Sequence, residues 1–416
     1  MPQRRRSTLP TDVPDEGTNA SGRMGWASMF ANLLLFLGAL VAIEAALRLA
    51  GYGEQIRYSV WQPGLGSQII PDERDTPGIS EPHQFKITSL GYRGRPIGSA
   101  ALRIAAFGGS TTEAIFVPEE RTWPRVVEAG LSQKLRSEVW VGNFGRSGRN
   151  TRQHLLDAKY VLPQFPIQIA LFLVGVNDLG LFFSEPRPQP MPVDDIISDK
   201  YLRDALVVQK AETDSIKLIA LAQALGHRFN ALSEKKVSSD LVPYVTVDFY
   251  RKYRKVRAER SGFVAEMPDL APMLDEYGRN LALIADLVRE RGVLPIFMTQ
   301  SSLWSPNVPR DLDALFWSGA AGHFPSDKSG LPYYSPEMLE RMMAGYNERT
   351  RLIAQRKDVP LIDIAAMLPK DRVYFYDEMH YNEAGSRAVS ELIIRELMPI
   401  IKNGTRHDKR LGPGPS

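Results

Sequence analysis

Cysteine is absent from the 416 residues. That excludes a disulfide framework, a thiolate metal site and a cysteine nucleophile. Excess charge is lacking too: 51 Lys+Arg against 48 Asp+Glu leave a formal net charge of +3. No basic stripe with interleaved aromatics runs through the chain, so nucleic acid is not expected as a partner. No internal repeat recurs, which excludes a solenoid or a propeller. Apart from Asp377 and His380, no His and acidic residues have ligand spacing, so neither a metal nor another cofactor is expected. What is present is 44% apolar and 24% charged, the composition of a folded protein. The length allows a large core, in one big domain or two modest ones.

Residues 1–23 are polar, with Arg4-Arg5-Arg6 and scattered Pro, Asp, Ser and Gly, and read as a disordered leader. From Met24 to Ile43 no charge occurs. A helix of that length rises about 30 Å, enough to cross hydrocarbon. Residues 24–50 are therefore expected to be an uncleaved transmembrane anchor. A core helix would need neighbours on all sides. A signal peptide would need a shorter leader and a small-x-small cleavage site. Arg4, Arg5, Arg6 and Arg23 precede the run, and Arg48 and Arg57 follow it. That balance places the N-terminus in the cytoplasm and the bulk outside the cytoplasmic membrane, in the periplasm of a Gram-negative cell. Residues 51–100, rich in Gly and Pro, read as a linker. Within it, Phe85–Gly94 alternates and then turns, the pattern of a lead-in hairpin or edge strand.

From Arg103 onward strand and helix patterns alternate. Strand-like runs lie at Arg103–Phe107, Val139–Phe144, Ile167–Val174, Leu294–Thr299 and Val359–Ile364. Helical spacing marks Thr122–Arg136, Thr151–Leu162, Tyr277–Arg291, Pro336–Arg356 and Asn382–Ile401. Such alternation predicts a parallel sheet with helices on both faces, in a domain over 101–401. Residues 180–275 break the rhythm and read as a helical insertion over the strand ends. They hold a run of prolines from Pro186 to Pro192, a long helical pattern over Lys200–Leu232, and a basic segment near Tyr250–Arg260, in which Arg251-Lys252-Tyr253-Arg254-Lys255 is expected to be a solvated helix face. A second long loop, 303–335, carries Trp304, Phe316, Trp317, Phe324, Tyr333 and Tyr334. The tail 402–416 is expected to be disordered.

Chemistry concentrates at the expected strand ends. Phe107-Gly108-Gly109-Ser110-Thr111-Thr112-Glu113 follows the first strand, Asn143-Phe144-Gly145-Arg146-Ser147-Gly148 the second, and Gly175-Val176-Asn177-Asp178 the third. Asp377-Glu378-Met379-His380 precedes the last helix. An open parallel sheet gathers such segments at one edge. A serine hydroxyl is a poor nucleophile at neutral pH and needs a base, for which His380 is the candidate. Asp377, one turn earlier, is close enough to hold the ring by a hydrogen bond. The Ser110 and Gly148 N–H groups and the Asn177 amide are candidate oxyanion donors. Each segment also has a plain reading as a turn or a helix cap. His83, His154, His227, His323 and His407 have no comparable motif and are expected at the surface or in packing.

The order Gly-Gly-Ser, Asn-x-Gly-x-x-Gly, Gly-x-Asn-Asp and Asp-x-x-His resembles the SGNH (GDSL-type) hydrolases over about residues 103–180 and 276–400. Ser89-Leu90-Gly91-Tyr92-Arg93-Gly94 looks like the lead-in of membrane-anchored bacterial members. The resemblance implies a three-layer α/β/α flavodoxin-like fold. It implies Ser110 as nucleophile, Asp377 and His380 as the rest of a triad, and Ser110, Gly148 and Asn177 as the oxyanion hole. Gly109 departs from the Asp that many members carry, as in a Gly-Gly-Ser subgroup. The implied activity is a membrane-anchored serine ester hydrolase acting on an ester-bearing small molecule, lipid or acylated glycan. An O-acyltransferase of an envelope polysaccharide and a non-catalytic envelope scaffold are the alternatives.

Overall fold

A computed structural model describes residues 26–49, 56–79, 81–184, 189–209, 247–322 and 328–408. The expected leader 1–23, Pro186 and Pro188, His227, most of the helical pattern over Lys200–Leu232, His323, Phe324 and the end of the expected tail lie outside these residues. The chain divides into two compact units. In the first, a helix spans Trp26–Leu49. Its stretch Met29–Ala46 has a mean hydropathy of 2.0 and none of it is buried. The helix is long and apolar enough to cross a membrane, a test that a signal sequence also passes.

The second unit is an α/β body. Its strands are β1 (Arg57–Ser59), β2 (Gly66–Ile69), β3 (His83–Lys86), β4 (Leu102–Gly108), β5 (Val139–Gly145), β6 (Ile169–Leu173), β7 (Val207–Gln209), β8 (Gly262–Phe263), β9 (Leu294–Met298), β10 (Pro332–Tyr333) and β11 (Leu361–Ile362). Five of them form a central parallel sheet in the order β11-β9-β6-β4-β5. Every residue of β5 and β6 is buried, which is why these strands read as continuous apolar runs rather than alternating ones. Phe107 sits between Phe144 and Phe172 on the neighbouring strands, with ring centroids 5.0 and 5.1 Å away. That row of cross-strand pairs fixes the register. Gly108 is then level with Gly145 and Leu173, and Leu173 with Met298. Four strands therefore end in one line, and the segments that follow them open at one edge.

Two groups of helices complete three layers. Trp123–Leu135 packs on Glu383–Asp408, and Ala271–Glu290 packs on Pro336–Arg356 and Thr151–Leu156. β11 is shorter than the expected Val359–Ile364. Pro360 has no N–H to give a ladder, and Asp363 turns outward to cap Ile364–Met367 by accepting from the Ala366 N–H. The last helix continues past Lys402 to Asp408, against the expectation of a disordered tail from 402. Gly404 costs a helix about 1 kcal/mol relative to Ala, too little to stop one already running.

Residues 56–100 pack into the body rather than forming a linker. Phe85 and Tyr92 are fully buried, and the Trp61 indole donates to the Gly145 carbonyl at 2.8 Å. β2 pairs antiparallel with β3. The chain then turns so that Ile87 bridges Arg93, and Arg93 in turn bridges Asn143 beside β5. Gly91 makes the turn at φ +77°, and a Cβ there would lie 2.3 Å from the Ser59 Cβ. Among the described residues the helical pattern from Lys200 is interrupted early. Asp199–Ala205 is a helix, but Val207–Gln209 then pairs antiparallel with β1. Two β-branched residues there favour a strand once an unpaired edge is available.

Candidate active site

β4 delivers Ser110 through two glycines at which a Cβ would crowd the surrounding side chains. A Cβ at Gly108 would lie 2.2 Å from Thr112 Oγ1, and one at Gly109 1.8 Å from Asn177 Nδ2. Ser110–Glu113 then forms a single helical turn that ends at Ala114 in the left-handed region. The turn is held from behind by Arg93, a buried guanidinium that donates to the carbonyls of Glu113, Ala114 and Val117 at 2.6 to 2.7 Å. Its Nε pairs with Glu119 at 2.9 Å.

His380 reaches this turn from the other end of the chain. Its Nε2 lies 2.7 Å from Ser110 Oγ, and its Nδ1 lies 2.6 Å from Asp377 Oδ2. Asp377 Oδ1 accepts from the backbone N–H groups of Met379 and His380 at 2.9 and 2.7 Å. The Trp317 indole N–H donates to Oδ2 at 3.0 Å. A carboxylate that only accepts places the ring proton on Nδ1 and leaves Nε2 free to accept from the serine. The ring is 3% exposed, stacked on Tyr376 at 5.3 Å and met edge-on by Tyr250 at 6.1 Å.

Burial works against charge on His380, but the nearby Asp377 carboxylate outweighs it and holds the imidazole above its ordinary value. Glu378 and Glu113 add to that effect. Asp377 is also buried, which alone would favour its acid form. Its attraction to His380 and its hydrogen bonds bring it below the usual carboxylate range. Burial and the neighbouring Asp377 push Glu378 the other way, upward. Glu378 accepts from the Ser318 N–H at 2.8 Å and the Trp317 N–H at 3.2 Å, which places the Trp317 indole over Asp377.

The segment after β5 brings Gly148 to the same edge, at φ +79°. Among the described residues, neither the Ser110 nor the Gly148 backbone N–H has a hydrogen-bond partner. Asn177 gives one amide N–H to the Arg149 carbonyl at 2.9 Å, and a primary amide has a second to offer. Asp178 pins this corner by accepting from the Thr151 N–H at 3.0 Å and the Thr151 hydroxyl at 2.5 Å. Burial raises Asp178 to about 7. A cavity of about 280 Å³ opens beside Ser110 and His380, walled chiefly by Val176, Phe183, Phe249, Tyr250, Trp304, Trp317 and Met379.

All five residues singled out from the sequence meet here. Four others were not singled out: Glu113, Tyr250, Trp317 and Glu378. Glu113 sits within a quoted motif, and Trp317 within the aromatic-rich loop, but residue type alone gives neither a partner. Tyr250 stands just before the run Arg251–Lys255, in which Arg251, Lys252 and Lys255 are exposed as expected and Tyr253 and Arg254 are half-buried. Tyr250 and Arg257 are each 2% exposed. Arg257 pairs with Asp313 at 2.7 Å, and Arg254 donates to the Asp75 carbonyl at 2.8 Å. The helix Val247–Ala258 thus turns Tyr250, Val256 and Arg257 inward and leaves Arg251, Lys252 and Lys255 exposed.

The sequence profile of the GDSL-like lipase/acylhydrolase family matches residues 106–388. No curated protein matches the chain. Similar solved structures include LAE5, an alpha/beta hydrolase enzyme from the metagenome of Lake Arreo, Spain, at 12% identity and a TM-score of 0.38, covering 71% of this chain and 95% of that one. TesA is similar at 11% identity and a TM-score of 0.37, covering 71% and 98%. Axe2, an acetylxylan esterase from Geobacillus stearothermophilus, is similar at 13% and 0.38, covering 72% and 95%.

Proposed function

The chain belongs to the GDSL-like lipase/acylhydrolase family of ester-hydrolysing enzymes, and from that premise we propose that Ser110, His380 and Asp377 carry out acyl transfer to water. The observation behind this reading is the unbroken line from Ser110 Oγ to His380 Nε2 at 2.7 Å and from His380 Nδ1 to Asp377 at 2.6 Å. Ser110 Oγ attacks the acyl carbonyl carbon as its proton passes to His380 Nε2. The imidazolium that forms faces an ionised Asp377. The oxyanion takes the N–H groups of Ser110 and Gly148 and the second N–H of Asn177, each such donor being worth about 3–4 kcal/mol of barrier. The alcohol leaves with the proton from Nε2. Water then attacks the acyl-serine with His380 as base, releasing the acid and restoring the serine.

The cavity supports an apolar group on the substrate. An engineered cavity of about 150 Å³ holds benzene, so one of 280 Å³ takes roughly ten heavy atoms. Its aliphatic and aromatic walls suit a medium-chain acyl ester or a lipid. In this reading 24–50 is a single-pass anchor of the membrane-anchored subgroup. The catalytic body, 56–100 together with the 101–401 domain, then faces the periplasm or cell exterior. Ser110→Ala, assayed on p-nitrophenyl esters, tests the reading: retained activity would refute it.

O-acyl transfer to an envelope polysaccharide is a second reading, supported by Trp304 and Trp317 in the cavity wall, where ring faces suit a sugar. It predicts that a sugar acceptor speeds loss of the acyl-enzyme, and hydrolysis predicts no such acceleration. A non-catalytic scaffold would leave Ser110 unlabelled by a serine-directed phosphonate.

A further inference from the structure

Glu113 is 1% exposed and takes no part in the steps above. It lies one turn after Ser110, and its carboxylate crosses to the segment that follows β5. Oε2 accepts from the Ser147 N–H at 2.5 Å and also from the Ser147 hydroxyl. Oε1 is buried without a partner among the described residues. Arg93 bonds the Glu113 carbonyl rather than its carboxylate. Among the described residues the hydrogen bonds of this carboxylate therefore go to one residue, Ser147, which immediately precedes Gly148, while Arg93 and Arg146 act on it only by charge.

Burying a carboxylate with one oxygen unmatched is a costly way to brace a loop, and burial raises Glu113 above its usual value. Neutral braces already stand beside it. Asn143 donates to the Thr112 carbonyl at 2.7 Å, and the Arg146 N–H to the Gly108 carbonyl at 3.1 Å. Those bonds join the two strand ends but stop short of Gly148. Gly148 itself is exposed, at positive φ, with no side chain to fix it and open space where a Cβ would stand. A carboxylate makes shorter and stronger bonds than an amide. Two of them to one residue hold the backbone N–H and the side chain of Ser147, directly before the peptide that carries the Gly148 N–H.

We propose that Glu113 is a positioning residue of the oxyanion site: through Ser147 it sets the Gly148 N–H against the carbonyl that Ser110 attacks. The proposal rests on the assignment of Ser110 and Gly148 given above. It requires Glu113 to act on the transition state rather than on substrate binding, because the oxyanion exists only there.

The experiment compares Glu113→Gln, Ser147→Ala and the double variant in the full chain, on p-nitrophenyl butyrate and against an alkylboronic acid, with Ser110→Ala alongside. A displacement of about 1 Å can cost 10²-fold. Glu113→Gln should therefore lower kcat by about ten- to a hundredfold, with KM within about twofold and boronate affinity falling in step with kcat/KM. Ser147→Ala, which keeps the backbone bond, should lose less, and the double variant should lose less than the product of the two. The acid limb of kcat/KM should also move to lower pH in Glu113→Gln. Of the carboxylates that raise His380, Asp377 and Glu378 come from its own segment and Glu113 from the Ser110 turn, and Tyr250 and Tyr376 pack on the ring without charge. Unchanged kcat and boronate affinity in a folded Glu113→Gln would overturn the proposal. So would a loss that merely follows a reduced folded fraction. If Glu113→Gln does not fold, boronate affinity unchanged in Ser147→Ala overturns it instead. Activity surviving in Ser110→Ala would point to failure of the underlying assignment, not of this one.

Discussion

Among the described residues the body holds two buried histidines, each paired with an aspartate three residues away, and they have opposite characters. His154 Nδ1 lies 3.0 Å from Asp157 Oδ2, and His380 Nδ1 lies 2.6 Å from Asp377 Oδ2. Burial leaves His154 below the ordinary imidazole value, and Asp157 does not make up the difference. His380 ends above it. The partners of each carboxylate explain this. Asp157 also receives Arg149, at 2.5 Å on Oδ1 and 3.2 Å on Oδ2. That guanidinium neutralises the aspartate and repels a proton on the ring. Asp377 receives only neutral N–H donors besides His380, so its charge remains available to an imidazolium. The far nitrogens differ as well. His380 Nε2 meets Ser110, and His154 Nε2 is buried with no partner among the described residues, its ring edge-on to Phe172 at 6.3 Å. An imidazole–carboxylate pair is thus a fold element or a base according to what stands on its two outer sides.

Substitutions can break this contrast. The largest effect is expected from Ser110→Ala or His380→Ala, which should lower kcat on an aryl ester by about 10⁵- to 10⁶-fold. His154→Ala should change kcat less than about threefold in protein that is folded. Asp377→Asn should come next, with a loss of about 10⁴-fold from the wrong ring tautomer. Asp157→Asn should spare the rate. His154→Ala should instead destabilise the body by about 2–4 kcal/mol, through a core cavity, measurable by urea unfolding.

Titration sharpens the contrast. His380 lies above 6.5, so the acid limb of kcat/KM should lie above that pH, because the neutral ring is the working form. Its raised value stabilises the fold fully below pH 6.5, and this contribution is lost as pH rises through the folded-state value. His154 has the reverse sign: its neutral form is kept in the fold, and stability is lost as pH falls below 6.5. Imidazole NMR titration should move the two rings to opposite sides of 6.5. The smallest effect is expected from Trp317→Phe, which removes one donor to Asp377 and should lower kcat a few-fold.

The sheet was legible because its central strands are buried on both faces and so spell uninterrupted apolar runs, as at Ile169–Leu173. The site residues were legible because each follows such a run or precedes the last helix. What was not legible depended on distant partners. Nothing in the sequence near Arg251–Lys255 tells that Arg254 reaches the Asp75 carbonyl or that Arg257 pairs with Asp313. Phe85–Gly94 could be read as a hairpin or edge strand, but the full burial of Phe85 and Tyr92 shows only with the edge of β5 next to them. Asp157 and Asp377 are alike in spacing, and what separates them, Arg149 beside the one and Ser110 across the ring from the other, comes from other segments.

The four residues Asp377–His380 close on themselves, since one carboxylate oxygen holds the backbone of the turn and the other holds the ring. The proposed base and its orienter are therefore built as one short piece, and Trp317 and Tyr250 from the region between it and β4 only steady it from outside.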